Sequence, residues 1–275
     1  MSGALGSWID GVPGNLVPVD DRGFNYGDGL FETILIRGRR ARFLEAHLER
    51  LQKGLARLAI SFEALPALRA EIAHAASLAP PLAILKLIVT RGSAARRGYA
   101  PRDAGPARRV VTLWPAPPLS FAPEGVELRI ATTRLGANPA LAGIKHLSRL
   151  ENVLAAAEAL GDPAFDTLLL DAAGQVVSGG MSNVCIVESG AVSTPLLDTC
   201  GVAGVLRAIV IRECAALKIP CAQRRITLTD FAAADEVFIT NARIGVVPVR
   251  RVGEHSFSMH TLTHQLAQHI EALDA

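Results

Sequence analysis

Lysine is scarce in this chain: four residues in 275, against twenty-four arginines. Chemistry that needs a primary amine therefore falls on Lys53, Lys86, Lys145 or Lys218. Uninterrupted apolar stretches are missing too, and none approaches the ~18 residues of a membrane span. The start, Met-Ser-Gly-Ala-Leu-Gly-Ser-Trp8, lacks a basic stretch followed by an apolar one, so no secretory leader is expected. Cysteine is limited to Cys185, Cys200, Cys214 and Cys221, with no C-x-x-C spacing. That argues against a disulfide framework or a zinc site and fits a reducing cytoplasm. A net charge of +2 is too small to make nucleic acid or an anionic membrane the main partner. Neither G-x-x-x-x-G-K-[ST] nor G-x-G-x-x-G occurs, which argues against the Walker and Rossmann nucleotide sites.

What is present reads as a soluble globular enzyme: half of the residues are hydrophobic and a fifth are charged. The length allows one large or two medium domains. Leu30–Arg37 and Arg40–Leu44 flank a Gly38-Arg39 turn and predict a hairpin. Leu44, Leu48, Leu51, Leu55 and Leu58 recur at helical spacing, and Pro66–Ala79 predicts a second helix. Ala83–Thr90 and Arg108–Trp114 read as strands. Four prolines between Pro115 and Pro123 exclude a helix interior or a central strand, so residues 115–124 are expected to link domains at 1–114 and 125–275. In the second part a strand begins at Val126, a helix follows over Leu150–Leu160, and strands are expected at Phe165–Asp171, Asn183–Val187, Glu236–Thr240 and Val246–Val252. Helices mixed with mostly antiparallel strands give the α+β class.

Lys145 stands out by position. It lies in Gly143-Ile-Lys-His-Leu-Ser-Arg-Leu-Glu151, where a loop or strand end gives way to a helix, with Ile144 and Leu147 as an apolar collar. Partial desolvation there would free the amine for attack on a carbonyl, although an exposed surface lysine fits the position as well. Cys200-Gly-Val-Ala-Gly-Val-Leu-Arg207 sets two glycines before an apolar helix, either a plain loop-to-helix entry or a place where backbone N–H groups face an anion. Arg50 shares a helix face with His47, Gly54 and Arg57, off the leucine stripe; it is a solvated arginine unless Gly54 admits another segment. Thr240 and Asn241 end a strand, where they cap it or reach a ligand. His260 and His264 share a face of the last helix; a solvated face is expected there rather than a metal site.

These segments carry a resemblance. The chain resembles the fold-type IV pyridoxal phosphate enzymes, the class of branched-chain and D-amino-acid aminotransferases, in their two-domain architecture. Within that class it is most similar to the lyases of 4-amino-4-deoxychorismate. The likeness rests on Asp21-Arg-Gly23, Tyr26-Gly-Asp-Gly-Leu-Phe-Glu-Thr33, His47-Leu-Glu-Arg-Leu51, Thr90-Arg-Gly92 and Arg97-Gly-Tyr99. It continues through Leu141–Glu151, Cys200–Arg207 and Ala234–Asn241. The Lys-His-Leu-x-Arg-Leu-Glu run is the most specific, because the aminotransferases usually have tyrosine where Arg149 stands.

The resemblance implies a smaller N-terminal domain and a larger C-terminal one that binds pyridoxal 5'-phosphate (PLP). It implies that Lys145 condenses with the cofactor aldehyde, and that Arg50, the backbone N–H groups of Gly204 and Val205, Thr240 and Asn241 hold its phosphate. Arg149 is placed by it near the phenolic oxygen. The implied activity converts 4-amino-4-deoxychorismate to 4-aminobenzoate and pyruvate for folate synthesis, with Arg97 and Tyr99 as substrate binders, in cis or in trans within a homodimer. One position departs from the pattern: Ser178 stands where a glutamate normally pairs with the pyridine nitrogen.

Overall fold

The computed structural model describes residues 3–273, and the chain divides into two compact units. The first comprises the chain up to Pro118 together with Ile144–Ser148; the second comprises Leu119–Gly143 and the chain from Arg149 onward.

In chain order the first unit holds β1 (Gly6–Ile9), β2 (Val12–Pro13), α1 (Arg22–Tyr26), β3 (Gly29–Arg37), β4 (Arg40–Ala41), α2 (Leu44–Arg57), α3 (Leu65–Ser77), β5 (Leu82–Thr90) and β6 (Arg108–Pro115). The strands form one antiparallel sheet in the order β2-β1-β6-β5-β3-β4. Strand period sets its two faces. Leu30, Glu32, Ile34 and Ile36 of β3 and Ala83, Leu85, Leu87 and Val89 of β5 are buried, whereas Lys86 is exposed on the other face. The hairpin forms at Gly38-Arg39, both at positive φ, as a two-residue turn between right-twisted strands needs. Its second strand is shorter than expected. It ends at Ala41 because Phe43 takes up a left-handed conformation and starts α2.

The second unit holds β7 (Val126–Leu135), α4 (Leu150–Glu158), β8 (Asp166–Asp171), β9 (Val176–Gly179), β10 (Asn183–Glu188), β11 (Ala191–Pro195), α5 (Val205–Ala216), β12 (Cys221–Arg224), α6 (Leu228–Ala233), β13 (Glu236–Asn241), β14 (Gly245–Val252), β15 (His255–Ser256) and α7 (Thr261–Ala272). Eight strands run in the order β12-β11-β10-β13-β14-β7-β8-β9, and β15 pairs with β14. Most neighbours are antiparallel, but β7 is parallel to both β8 and β14, and β11 to β12. Leu168, Val184, Ile186, Phe231, Val237, Ile239 and Val249 close the core. His260 departs from expectation: it is buried as the residue before α7 rather than lying on a solvated face.

Candidate active site

Lys145 owes its position to β3. The edge of Gly29–Phe31 is not covered by β4, which pairs only at Ile36 and Arg37. Residues 145–147 fill that gap: Phe31 N–H donates to Lys145 O at 3.0 Å, Leu147 N–H donates to Gly29 O at 3.0 Å, and Leu30 bridges His146 antiparallel. The amine consequently lies over the Phe31 ring, with Nζ 4.2 Å from its centroid. Ile144 is buried beside it and Leu147 is half-buried, so the collar read from sequence is in place. The other lysines are in structural settings. Lys53 pairs with Glu49 one helical turn away, Lys86 is exposed on its strand, and Lys218 sits at positive φ beyond α5.

Arg50 is not solvated. Its helix face packs on β3, and Gly54 is what permits this: a Cβ there would lie 2.7 Å from Leu30 Cδ1. Arg50 Nε donates to Glu32 Oε1 at 2.8 Å, Nη2 bonds Glu32 Oε2, and His47 Nδ1 is 2.6 Å from the same Oε2. Burial pushes the Glu32 carboxyl up, but the Arg50 charge and the hydrogen bonds from His47 and Arg50 overcome it and hold the group at about 2. Burial drives His47 the other way, below the usual imidazole value; Glu32 opposes this, while the charges of Arg50 and Lys145 add to it. Lys145 and Arg50 thus act on one buried imidazole. In the same unit Arg22 donates to Gly98 O at 3.0 Å and Tyr99 O at 2.7 Å, which pins the loop that exposes Arg97 and Tyr99.

In the second unit Asn183 ties the entry to α5 to the sheet. Its carboxamide donates to Val202 O at 2.9 Å and accepts from Gly204 N–H at 3.0 Å. A Cβ on Gly204 would fall 2.0 Å from Asn183 Oδ1, so only glycine fits. Gly204 caps α5 with no side-chain hydrogen bond, so the first-turn N–H groups, beginning with Val205, receive no cap from it. Thr240 is the register partner of Asn183 on β13. It is 1 % exposed, and its Oγ1 has no hydrogen-bond partner among the described residues. A buried hydroxyl without a partner beside uncapped amides suits a phosphate. Asn241, by contrast, is engaged by its own turn: it accepts from the N–H groups of Arg243 and Ile244 and donates to Met181 O.

Ser178 lies in β9 opposite Leu169 and is buried. The nearby buried carboxylate, Asp166, accepts from Thr167 N–H, Met181 N–H and Ser182 Oγ, and so fastens the β9–β10 turn. Burial pushes it above the ordinary aspartate value. Arg149 stands just before α4; burial lowers its pKa, and Glu151 works against that.

Residues 29–252 match the amino-transferase class IV family. The chain belongs to the class IV family. It is 38 % identical over 248 residues to the aminodeoxychorismate lyase of Vibrio harveyi, covering 88 % of this chain and 89 % of the relative. It is also similar to the crystal structure of 4-amino-4-deoxychorismate lyase from Pseudomonas aeruginosa. The TM-score there is 0.89 at 42 % identity, over 98 % of this chain and 100 % of that one. A hypothetical aminotransferase from Mycobacterium tuberculosis, solved in a PLP-bound form, shares the fold at TM-score 0.81 and 22 % identity, over 95 % and 94 % of the two chains. The two-domain fold-type IV architecture of the class IV enzymes is therefore the fold of this chain.

Among the residues singled out from sequence, Arg50 pairs with Glu32 beside His47, an imidazole on which the Lys145 charge also acts, and Gly204, leading into Val205, and Thr240 adjoin Asn183. The others stand on separate elements: Arg97 and Tyr99 on the loop after β5, Ser178 in β9, and Arg149 at the head of α4. Sequence reasoning assigned no role to Glu32, Arg22 or Asn183. Glu32 and Arg22 lie inside motifs already noted and Asn183 starts an expected strand, but their use depends on which side chains they face, and no spacing rule reports that.

Proposed function

We propose that this chain is a PLP-dependent lyase that converts 4-amino-4-deoxychorismate to 4-aminobenzoate and pyruvate, a step toward folate. The observation that carries this reading is the near-full-length likeness to the Vibrio and Pseudomonas lyases. The cofactor fits the residues present. Lys145 offers an amine set on an aromatic face, and the Gly204–Val205 amides with the Thr240 hydroxyl offer a neutral, partly buried cradle for phosphate. The resemblance assigns Arg50 to the phosphate as well, and within its own unit Glu32 orients its guanidinium; Asn241 is fixed by its own turn beside Thr240.

When bound, PLP supplies an aldehyde for the amine and an electron-withdrawing ring. The protein's part is proton movement and binding. With PLP bound, Lys145 would be the base that takes the proton from the substrate ring carbon bearing nitrogen. Enolpyruvate departs from the adjacent carbon, the ring becomes aromatic, and the lysine returns the proton to the enolpyruvate carbon to give pyruvate. Arg149 would neutralise charge at the phenolic oxygen of bound PLP, and Ser178 would offer its pyridine nitrogen only a neutral hydroxyl. Arg97 and Tyr99, on the loop pinned by Arg22, bind the substrate carboxylates.

A homodimer belongs to this reading. Leu150, Val153 and Leu154 share one face of α4 and are 76 %, 59 % and 58 % exposed, an apolar stripe that a second copy would cover. Four unbridged cysteines suit the cytoplasm as its setting.

The family name supports a second reading, an aminotransferase acting on D-amino or branched-chain acids, and Ser178 argues against it. Mixing the loaded enzyme with alanine or leucine alone separates the two. An aminotransferase converts its cofactor to pyridoxamine phosphate, whereas the lyase keeps its aldehyde spectrum.

A further inference from the structure

We propose that Cys214 and Cys221 form a reversible dithiol–disulfide pair, a modification site for low-molecular-weight disulfides, with Cys221 as the attacking thiol and Cys214 as the resolving one. The backbone brings them together. Arg207 and Cys214 are seven residues apart on α5, two helical turns along one face, and both are buried. Cys221 and Gln223 are two apart on β12 and share a sheet face. Arg207 Nη2 donates to Gln223 Oε1 at 2.8 Å, so that strand face is the one turned to α5. Between them the chain doubles back: Lys218 sits at φ 58°, and Ile219 N–H donates to Cys214 O at 2.8 Å, closing the helix end with a left-handed turn. The two faces run back along each other, which sets the Cys214 and Cys221 side chains close enough to interact.

The charges around the pair favour attack by Cys221. Arg207 is buried, and its three acceptors, Thr194 Oγ1, Pro195 O and Gln223 Oε1, are all neutral. Among the described residues this cation has no carboxylate, and an ionised Cys221 is the charge that balances it. The hydrogen bond from Cys214 lowers the Cys221 thiol, burial opposes this, and Arg207 adds to the lowering. The neighbours are held as thiols. Burial pushes Cys185 up to about 12, while the bond to Cys221, burial, and the nearby Cys185 and Glu213 raise Cys214. Cys221 is also the reachable member: it is half-buried, and Cys185, Cys200 and Cys214 are buried.

With oxidised glutathione the Cys221 thiolate attacks one sulfur, forming a mixed disulfide and releasing glutathione thiolate. Cys214 gives its proton to that thiolate and displaces the second glutathione, closing the Cys214–Cys221 bond. One protein thiolate and one protein thiol are oxidised to the disulfide, and one external disulfide is reduced to a thiol and a thiolate. In a reducing compartment the disulfide reopens to the Cys214 thiol and the Cys221 thiolate.

The test is to treat the full-length, cofactor-loaded protein with oxidised glutathione and digest it with trypsin without reduction. Peptides Glu213–Lys218 and Ile219–Arg224 should appear joined, lighter by two hydrogens, and separate on adding dithiothreitol. Cys214→Ser should stop at a stable glutathione adduct on Cys221, and Cys221→Ser should give neither product. The proposal is overturned if the parent retains glutathione on Cys221 without forming the cross-link, or if Cys200 is modified before Cys221.

Discussion

Glu32→Gln tests the buried ion network on which Arg50 and His47 depend. In the folded protein the carboxyl is held at about 2 instead of its ordinary 4.5. A difference of about 2.5 units corresponds to about 3 kcal/mol of preference for the ionised native form, at 1.36 kcal/mol per unit. Removing one partner of a buried pair costs a similar amount, about 3–5 kcal/mol, because the other charge is left without compensation. Glutamine keeps the shape but presents a neutral amide to a guanidinium and an imidazole. The variant should therefore be about 3 kcal/mol less stable at neutral pH, read as a lower urea midpoint by circular dichroism. The sign of the pH effect follows from the depressed value. The Glu32 contribution is complete above 4.5 and is lost as pH falls toward 2. The gap between parent and variant should narrow over that window. Equal midpoints at neutral pH, or a gap that does not shrink on acidification, would refute the reasoning.

Three other substitutions probe the chemistry. Lys145→Ala should abolish the visible absorbance of the bound cofactor and lower lyase turnover by several orders of magnitude; a borohydride-reduced adduct mapping to Lys53, Lys86 or Lys218 would contradict it. Gly204→Ala forces a methyl against Asn183 Oδ1 and should weaken cofactor binding by roughly tenfold or more, about 1.4 kcal/mol, with the fold retained; an unchanged dissociation constant in a fluorescence titration counts against the cradle. Ser178→Glu should raise amino-acid transamination relative to lyase activity, because a carboxylate keeps the pyridine nitrogen protonated and strengthens the electron sink. An unchanged ratio would mean that Ser178 does not face that nitrogen.

Much of this was legible in the sequence where periodicity carries the information. The leucine stripe of α2, the hairpin turn at Gly38-Arg39 and the glycine-led entry to α5 each follow from one local rule. What was not legible depends on long-range register. Lys145 reaches Phe31 because β4 is too short to cover the edge of β3. Arg50 looked solvent-facing because helical spacing records only apolar stripes, and its ion partner Glu32 lies on another element. Glu32 itself occupies an apolar-face position of β3, where a carboxylate is tolerated only because two donors meet it there. Asn183 could be read as part of a motif, but its hold on Gly204 spans twenty-one residues and emerges only from the fold.

The most direct measurement of the central claim is product analysis after incubating the purified, PLP-loaded protein with 4-amino-4-deoxychorismate. The account predicts 4-aminobenzoate and pyruvate released in equal amounts, with both absent for Lys145→Ala. Recovery of unchanged substrate, or conversion of the bound cofactor to pyridoxamine phosphate without 4-aminobenzoate, would contradict it.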